Sequence, residues 1–156
     1  MKICDKYSHL SALEIITQKG TILEDIVNTF NNSSLIFEKG NSGHIKNLVS
    51  KGLNRLCWTD NIRVGKSKSK LTINFLKSRV GLCFQIGNVS RTYADILKIC
   101  YMGDEGIIDV GVIVVPYDIE SKILGENYAK YTRLEQEIKL FESILRTPIL
   151  IIGLSN

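Results

Sequence analysis

The sequence lacks an uninterrupted apolar run of about 18 residues, so it contains no candidate for a membrane-spanning helix. Its first residues also lack the long apolar region of a signal peptide, and we expect a cytoplasmic protein. Histidine occurs only twice, and neither His9 nor His44 has metal-ligand spacing to Cys83. The four cysteines form no C-x-x-C pair, which argues against a zinc knuckle or a disulfide framework and favours reduced thiols.

The length and the charge of the chain narrow the possibilities further. A chain of 156 residues, 44% of them hydrophobic, can bury a core, and we expect one domain over residues 1–156. Residues 1–85 contain 13 Lys and Arg against 6 Asp and Glu, whereas residues 86–156 contain 7 against 10. The densest basic stretch, residues 63–70, alternates with Ser and Gly and indicates an exposed loop. Such a patch favours contact with nucleic-acid phosphates, although a merely solvated loop has the same composition.

Hydrophobic periodicity predicts the order of the secondary structure. The strongest strand is predicted over residues 107–115, because this run is continuous, rich in β-branched residues and typical of burial on both faces. Other strands are predicted over 71–76, 79–86 and 148–153, with a short one over 35–38. Helices are predicted over 11–30 with a break at Gly20, over 44–56, over 91–102 and over most of 121–145. This order predicts an α/β (α+β) fold with a central mixed β-sheet flanked by helices.

Two short motifs lie on the adjacent strands predicted over residues 71–76 and 79–86. The first is Asn74-Phe75, and nine residues after Asn74 the second reads Cys-Phe-Gln-Ile-Gly-Asn from Cys83 to Asn88. The pair resembles the catalytic strands of the restriction-endonuclease-like, or PD-(D/E)xK, superfamily, and in particular type II restriction endonucleases of the BglII and BamHI kind. Those enzymes carry Asp-Phe on one strand and, nine residues after the Asp, Glu-Val-Gln-Phe-(Gly/Ser)-Asn on the next. Residues 7–14, 88–98, 106–116 and 147–154 also resemble, in order, the first helix of the family, the helix after the catalytic strand and two later strands.

The resemblance implies a metal site from which the charge has been removed. In active relatives the Asp and the Glu hold Mg²⁺, which activates water and stabilises the transition state of phosphodiester hydrolysis. Asn74 is neutral, and the Cys83 thiol is mostly protonated at neutral pH and favours softer metals. Each lost pair of charges at about 4 Å is worth roughly 4 kcal/mol at an effective dielectric constant of about 20. We therefore expect a catalytically inactive homologue that needs no cofactor, with Gln85 at the third position of the degenerate site.

Other functions remain open at this point. An active, Mg²⁺-dependent endonuclease could use a displaced site, with Glu14 of the first helix as a carboxylate that reaches the strands. A protein-interaction scaffold is a further possibility, since a fold does not fix a function. Cys83 itself reads best as a small apolar strand residue, because a nucleophilic role needs a base and an orienting group that the sequence does not reveal.

The resemblance also implies duplex DNA as a partner and allows a two-fold homodimer. Gln85, Asn88 and Arg91 lie where the family approaches the DNA backbone, although local hydrogen bonds are an equally good interpretation. The remaining predicted DNA contacts come from the basic segment and the residues that follow it, namely Arg63, Lys66, Lys68, Lys70, Lys77 and Arg79. Trp58 is predicted to be a core aromatic residue. Asp95 and Asp109 are predicted to lie on a helix surface and at a strand end.

Overall fold

The computed structural model describes residues 1–65 and 70–156, and these form one mixed β-sheet covered by helices on both faces. The elements follow in the order β1 (Lys2–His9), α1 (Ala12–Thr17), α2 (Ile22–Phe30), α3 (Ser42–Arg55), β2 (Thr59–Arg63), β3 (Thr72–Lys77), β4 (Val80–Phe84), α4 (Ser90–Asp104), β5 (Val110–Pro116), α5 (Asp118–Leu124), α6 (Tyr131–Leu140) and β6 (Ile149–Ser155). No helix within the described residues is long and apolar enough to cross a membrane.

The strand order explains where a functional site can form. The sheet runs β1-β6-β5-β4-β3-β2, with β4, β5 and β6 parallel and the other neighbours antiparallel. Parallel neighbours need a crossover connection, which α4 supplies between β4 and β5 and the segment containing α5 and α6 supplies between β5 and β6. The carboxyl ends of β4 and β5 therefore lie at one edge of the sheet, the edge at which open α/β sheets commonly bind ligands. The predicted fold, a mixed sheet flanked by helices, is confirmed.

Each face of the sheet has its own apolar core. Strand β4 is buried throughout, and its successive side chains point to opposite faces. Leu82 and Phe84 point to the core that α1, α2 and α3 cover, whereas Cys83 points to the core beneath α4 and α6. Gly111 on β5 lets α4 approach the sheet closely, because a Cβ atom at that position would collide with the side chain of Ile99. Helix α4 therefore lies close against β5, the neighbour of the strand that carries Cys83.

Several local predictions were wrong. Residues 35–38 form no strand, although Leu35 and Phe37 are buried in the core beneath α1, α2 and α3. The N-terminal segment, which resembled a helix from residue 7, forms β1 up to His9, and α1 begins only at Ala12. Strand β1 is mostly exposed and is held by backbone pairing with β6, so it lacks the apolar alternation that a sequence pattern could reveal.

Two further predictions failed at connections. Strand β2 covers Thr59–Arg63, where the sequence predicted no strand, and like β1 it is a mostly exposed edge strand. The long helix predicted over 121–145 is two helices, because α5 stops at Gly125, whose φ of 153° is accessible mainly to glycine. Chain between the two helices runs past the start of α4, where Asn88 forms an isolated antiparallel bridge with Tyr128.

Candidate functional site

The hairpin of β3 and β4 brings the two motif positions together. Phe75 pairs with Leu82 in antiparallel register, so Asn74 and Cys83 lie on adjacent strands at the carboxyl edge of β4. The backbone N–H of Phe84 donates a hydrogen bond of 2.8 Å to Oδ1 of Asn74. Asn74 is otherwise exposed, whereas Cys83 has no exposed surface. The predicted spacing therefore produces the expected neighbours, but their environments differ.

Cys83 is a buried and protonated thiol. Burial raises its pKa strongly, and the nearby carboxylate of Asp95 raises it further. A thiol in this position cannot ionise near neutral pH, and solvent does not reach its sulfur. Cys83 thus belongs to the apolar core beneath α4, which agrees with its interpretation as a small strand residue.

Asp95 is the carboxylate that the sequence interpretation placed wrongly. It lies on α4 with 4% of its surface exposed, facing β4 rather than solvent. Its Oδ2 accepts a hydrogen bond of 2.8 Å from Nε2 of Gln85, and its Oδ1 forms an ion pair of 2.5 Å with Nζ of Lys98. The same ammonium donates to the carbonyl oxygen of Thr72 at 2.8 Å. Helical periodicity could have revealed Asp95, because it falls on the stripe of α4 that buries Thr92, Asp95, Ile96, Ile99 and Met102.

These groups line a cleft of about 320 Å³ between α3, the β3–β4 hairpin and α4. The described residues that line it include three cations, Lys46, Arg91 and Lys98, and one acid, Asp95. Burial lowers the pKa of the Lys46 ammonium, and the guanidinium of Arg91 lowers it further. Lys46 was missed by the sequence interpretation, because nothing local to α3 indicates that this helix faces the hairpin. A smaller adjoining cleft of about 130 Å³ shares Lys46, Asn74 and Phe84 and contains the only other carboxylate of the described walls, that of Asp60.

The donor groups of the cleft do not fit Mg²⁺. A hard divalent cation requires several oxygen ligands, preferably anionic ones, in an open arrangement. Oδ1 of Asn74 already accepts a backbone hydrogen bond, Cys83 is a neutral buried thiol, and both oxygens of Asp95 are engaged. Within residues 1–65 and 70–156, no three His, Cys, Asp or Glu side chains come together as a metal site. The excess of fixed cations opposes a further positive charge.

A comparison with protein families assigns the chain. The family described as Restriction endonuclease BglII/BglIII matches residues 4–154, which is nearly the whole sequence. The chain belongs to the BglII/BglIII restriction endonuclease family. A search of curated proteins found no match.

Solved structures agree with the BglII/BglIII assignment. One similar structure is a crystal structure of restriction endonuclease BglII complexed with a DNA 16-mer, with a TM-score of 0.84 and 14% identity. The match covers 99% of this chain and 76% of the BglII chain. Another is free BglII, with a TM-score of 0.71 and 17% identity, covering all of this chain and 80% of that one. At such low identity these matches establish the fold, and the predicted family and fold are confirmed.

Some of the predicted DNA contacts of this BglII/BglIII family member lie at or near the cleft. Arg91 lines the cleft. The exposed Arg63 of β2 is paired with Thr72 of β3, and Thr72 also lines the cleft. Asn88 makes local hydrogen bonds instead, because its Oδ1 accepts from the backbone N–H and the hydroxyl of Ser90. Lys70 is exposed, while Lys66 and Lys68 lie outside the described residues.

Lys77 and Arg79 lie at the other end of the hairpin and are engaged in ion pairs. Nζ of Lys77 contacts Oδ2 of Asp25 at 2.7 Å, and Nε1 of Trp58 donates to the same oxygen at 3.0 Å. Trp58 is 3% exposed, so its prediction as a core residue is confirmed. The guanidinium of Arg79 forms an ion pair of 2.6 Å with Asp109. Arg79 is about four residues before Cys83, which corresponds to roughly 13 Å along an extended strand. DNA contact by these two cations stays a prediction, and the structure gives both a role in folding.

Neither Asp109 nor Glu14 lines the cleft. Arg79 and Lys19 lower the pKa of Asp109 to about 2, Arg79 having the larger effect. Its place just before β5 agrees with the predicted strand-end position. Glu14 is exposed on α1, the helix whose C-terminal end places Lys19 beside Asp109. Glu14 does not line the cleft, so the structure does not bring this carboxylate to Asn74 and Cys83.

Proposed function

We propose that this BglII/BglIII family member binds duplex DNA and does not hydrolyse it by Mg²⁺-dependent chemistry. The main support for the proposal is that Cys83 is a buried neutral thiol. The nearby carboxylate of Asp95 is already paired with Lys98 and hydrogen-bonded to Gln85. A functioning site would need anionic oxygens open to a metal ion at this point.

Binding is supported by charge and by a relative. Lys46 and Arg91 face a cleft with a single carboxylate in its described walls. Arg63 and Lys70 are exposed, and they lie beside Thr72 and Leu71, which line the cleft. Cations on one surface neutralise phosphates and release counterions, which gives sequence-independent affinity. The similar BglII structure contains a DNA 16-mer, and its fold covers 99% of this chain.

The residues of the cleft can bind and orient a phosphodiester but cannot activate water. Neither the amide of Gln85 nor that of Asn74 can act as a base, and the Asp95 carboxylate is held by Lys98. Electrostatic stabilisation by Lys46 and Arg91 is available without a nucleophile to exploit it. The expected outcome is binding without turnover.

Two measurements test this function. We expect supercoiled plasmid to stay intact with Mg²⁺ or Mn²⁺, while a labelled duplex binds at low salt and dissociates as salt rises. Metal-dependent nicking that co-purifies with the protein and is lost in Asp95→Asn would contradict the inactive assignment. Absence of duplex binding at low salt would contradict the DNA-binding assignment and leave the scaffold function in its place.

The displaced-site endonuclease is the second candidate, and Asp95 is the observation that favours it. This buried carboxylate is the one acidic group among the described residues that line the larger cleft, and it accepts a hydrogen bond from Gln85. A metal ion would have to displace the ammonium of Lys98 from it. Nicking by the Lys98→Met variant, but not by the native protein, would show that the ammonium alone blocks such a site.

A two-fold homodimer belongs to the same proposal, since the resemblance to type II enzymes implies it. Leu97 and Tyr101 on the outer face of α4 are large apolar residues with 69% and 45% of their surfaces exposed. Sedimentation velocity of the native protein and of Leu97→Glu tests this part. A concentration-independent monomer for the native chain would contradict it.

A further inference from the structure

We infer that the cleft binds a phosphate group without a metal ion, with Lys46 and Arg91 as its ligands and Lys98 as a built-in cation that keeps Asp95 from metals. The inference rests on the proposed function, because it names the group of DNA that this cleft takes. It differs from the chemistry of a metal-dependent nuclease, in which carboxylates hold a divalent ion between protein and phosphate.

The first step concerns Lys98. Its ammonium is held between Oδ1 of Asp95 at 2.5 Å and the carbonyl oxygen of Thr72 at 2.8 Å, and only 14% of its side chain is exposed. Asp95 is itself 6% exposed at its side chain, so this is a nearly buried ion pair. Such a pair is lost only at a large cost, because a single buried charge remains. The ammonium group of Lys98 is therefore a fixed part of the cleft wall, and it occupies the carboxylate oxygen that a metal ion would need.

The second step concerns Lys46 and Arg91. They belong to different helices, α3 and α4, yet both line the cleft. Burial and, to a smaller extent, the charge of Arg91 lower the pKa of Lys46, while Asp95 raises it. Two cations that converge in one cleft are costly in the free protein, and Asp95, whose oxygens are engaged by Lys98 and Gln85, offsets this cost only in part. An anion placed between them relieves this repulsion, and a phosphate oxygen accepts hydrogen bonds from both ammonium and guanidinium groups.

The third step concerns the remaining wall. Asn74 is exposed in the same cleft and its amide nitrogen can donate, since only its Oδ1 is engaged by Phe84. An aspartate at this position would repel a phosphate unless a metal lay between them. The replacement that removes metal binding thus also makes direct phosphate contact possible.

Protection of Lys46 from acetylation tests the inference directly. The native protein is treated with an amine-selective acetylating reagent in EDTA, alone, with a short duplex DNA, or with inorganic pyrophosphate, and each lysine is quantified by mass spectrometry. We expect both anions to slow acetylation of Lys46 by roughly tenfold, the effect of one charged hydrogen bond. Lys2 and Lys6, exposed on β1 at the far edge of the sheet, are the internal reference and should change less than about twofold.

Paired variants give the second arm. Lys46→Ala with Arg91→Ala should weaken duplex binding about tenfold or more and lower the salt slope by about two. Lys2→Ala with Lys6→Ala removes the same charge at the far edge and is the matched control. Equal losses in the two variants would mean that net charge, and not the cleft, binds DNA, and would overturn the inference.

The outcomes separate the inference from the function on which it rests. Duplex binding without protection of Lys46, or binding that needs Mg²⁺ at constant ionic strength, overturns the inference and leaves DNA binding intact. Protection by pyrophosphate in a protein that does not bind duplex DNA supports the phosphate site and overturns the proposed function. Protection by neither anion overturns the phosphate site.

Discussion

Cys83 and Asp95 face each other in the buried interface between β4 and α4. The carboxylate of Asp95 is close enough to raise the pKa of the thiol, and no surface of Cys83 is exposed. This relationship changes the meaning of the cysteine. It is the neutral residue that permits a helix carboxylate to occupy the space beside the strand, since a second carboxylate there would meet the first at short range.

Introducing the glutamate that the resemblance implies for this position should therefore destabilise the fold. Cys83→Glu buries a carboxylate against Asp95, and we expect a loss of several kcal/mol in the free energy of unfolding near neutral pH. Cys83→Gln has the same size without the charge and serves as the control for overpacking. Urea denaturation should find Cys83→Glu less stable than Cys83→Gln, and the gap should close when Asp95→Asn is added. Equal stabilities of the two single variants would contradict the contact between positions 83 and 95.

Recovery of a metal site is the functional counterpart of that experiment. Asn74→Asp with Cys83→Glu introduces the two carboxylates that the resemblance implies for active relatives, but Asp95 and its Lys98 partner remain in the way. We expect Mg²⁺ or Mn²⁺ binding by calorimetry to be stronger when Asp95→Asn accompanies these two changes. Cleavage of plasmid by the triple variant would show that the scaffold still positions a scissile phosphate. Metal binding by none of these variants would place the catalytic carboxylates elsewhere in the fold.

The Asp95–Lys98 ion pair should contribute to folding as a unit. Lys98→Met leaves a buried carboxylate with Gln85 as its remaining partner, and we expect a loss of about 3–5 kcal/mol. Removing both charges with Asp95→Asn and Lys98→Met should cost less than the sum of the single changes. A double-mutant cycle by chemical denaturation measures the difference. Strict additivity would mean that the 2.5 Å contact contributes no coupling energy.

Most of the sheet could be predicted from local sequence, whereas little of the cleft could. Strand β5 is a continuous β-branched run and is buried along its whole length, as its composition predicts. The nine-residue spacing from Asn74 to Cys83 predicts two neighbouring strands, because a tight hairpin leaves few alternatives for their register. These features depend on residues close together in the chain.

The groups that give the cleft its chemistry meet through tertiary packing. Lys46 lies on α3, 45 residues before Arg91 on α4, and nothing in either helix encodes their approach across the hairpin. Asp95 looked like an ordinary surface acid, because Gln85, which donates a hydrogen bond to it, lies just after β4 and not in the helix. Lys77 and Arg79 belonged to a basic stretch in the sequence, yet their charges meet Asp25 and Asp109 in the fold. Counting charges along a chain cannot show which of them are already neutralised.

Lys77 should matter for stability and not for DNA. Its ammonium shares the Oδ2 atom of Asp25 with the indole N–H of Trp58, and it also donates to the carbonyl oxygen of Leu56 at 2.7 Å. We expect Lys77→Met to lower the free energy of unfolding by about 1–3 kcal/mol, the cost of leaving charged hydrogen bonds unmade. Duplex affinity of the folded variant should match that of the native protein. A loss of affinity comparable to that of Arg91→Ala would return Lys77 to the DNA-binding surface.

Asp109 should make the stability depend on pH in the acid range. Its pKa is lowered from 3.8 to about 2 by Arg79 and Lys19, so the folded state binds this proton less readily than the unfolded chain does. The resulting stabilisation is fully present above about pH 4 and is lost as the pH falls toward 2. Because the Asp109 side chain is 36% exposed, solvent screening reduces its contribution to the free energy of unfolding to about 1 kcal/mol. Urea denaturation of the native protein and Asp109→Asn should differ by this amount near pH 6 and converge near pH 2, with a smaller difference in high salt. A difference that persists at the acid end would assign the effect of the substitution to packing and not to the ion pairs.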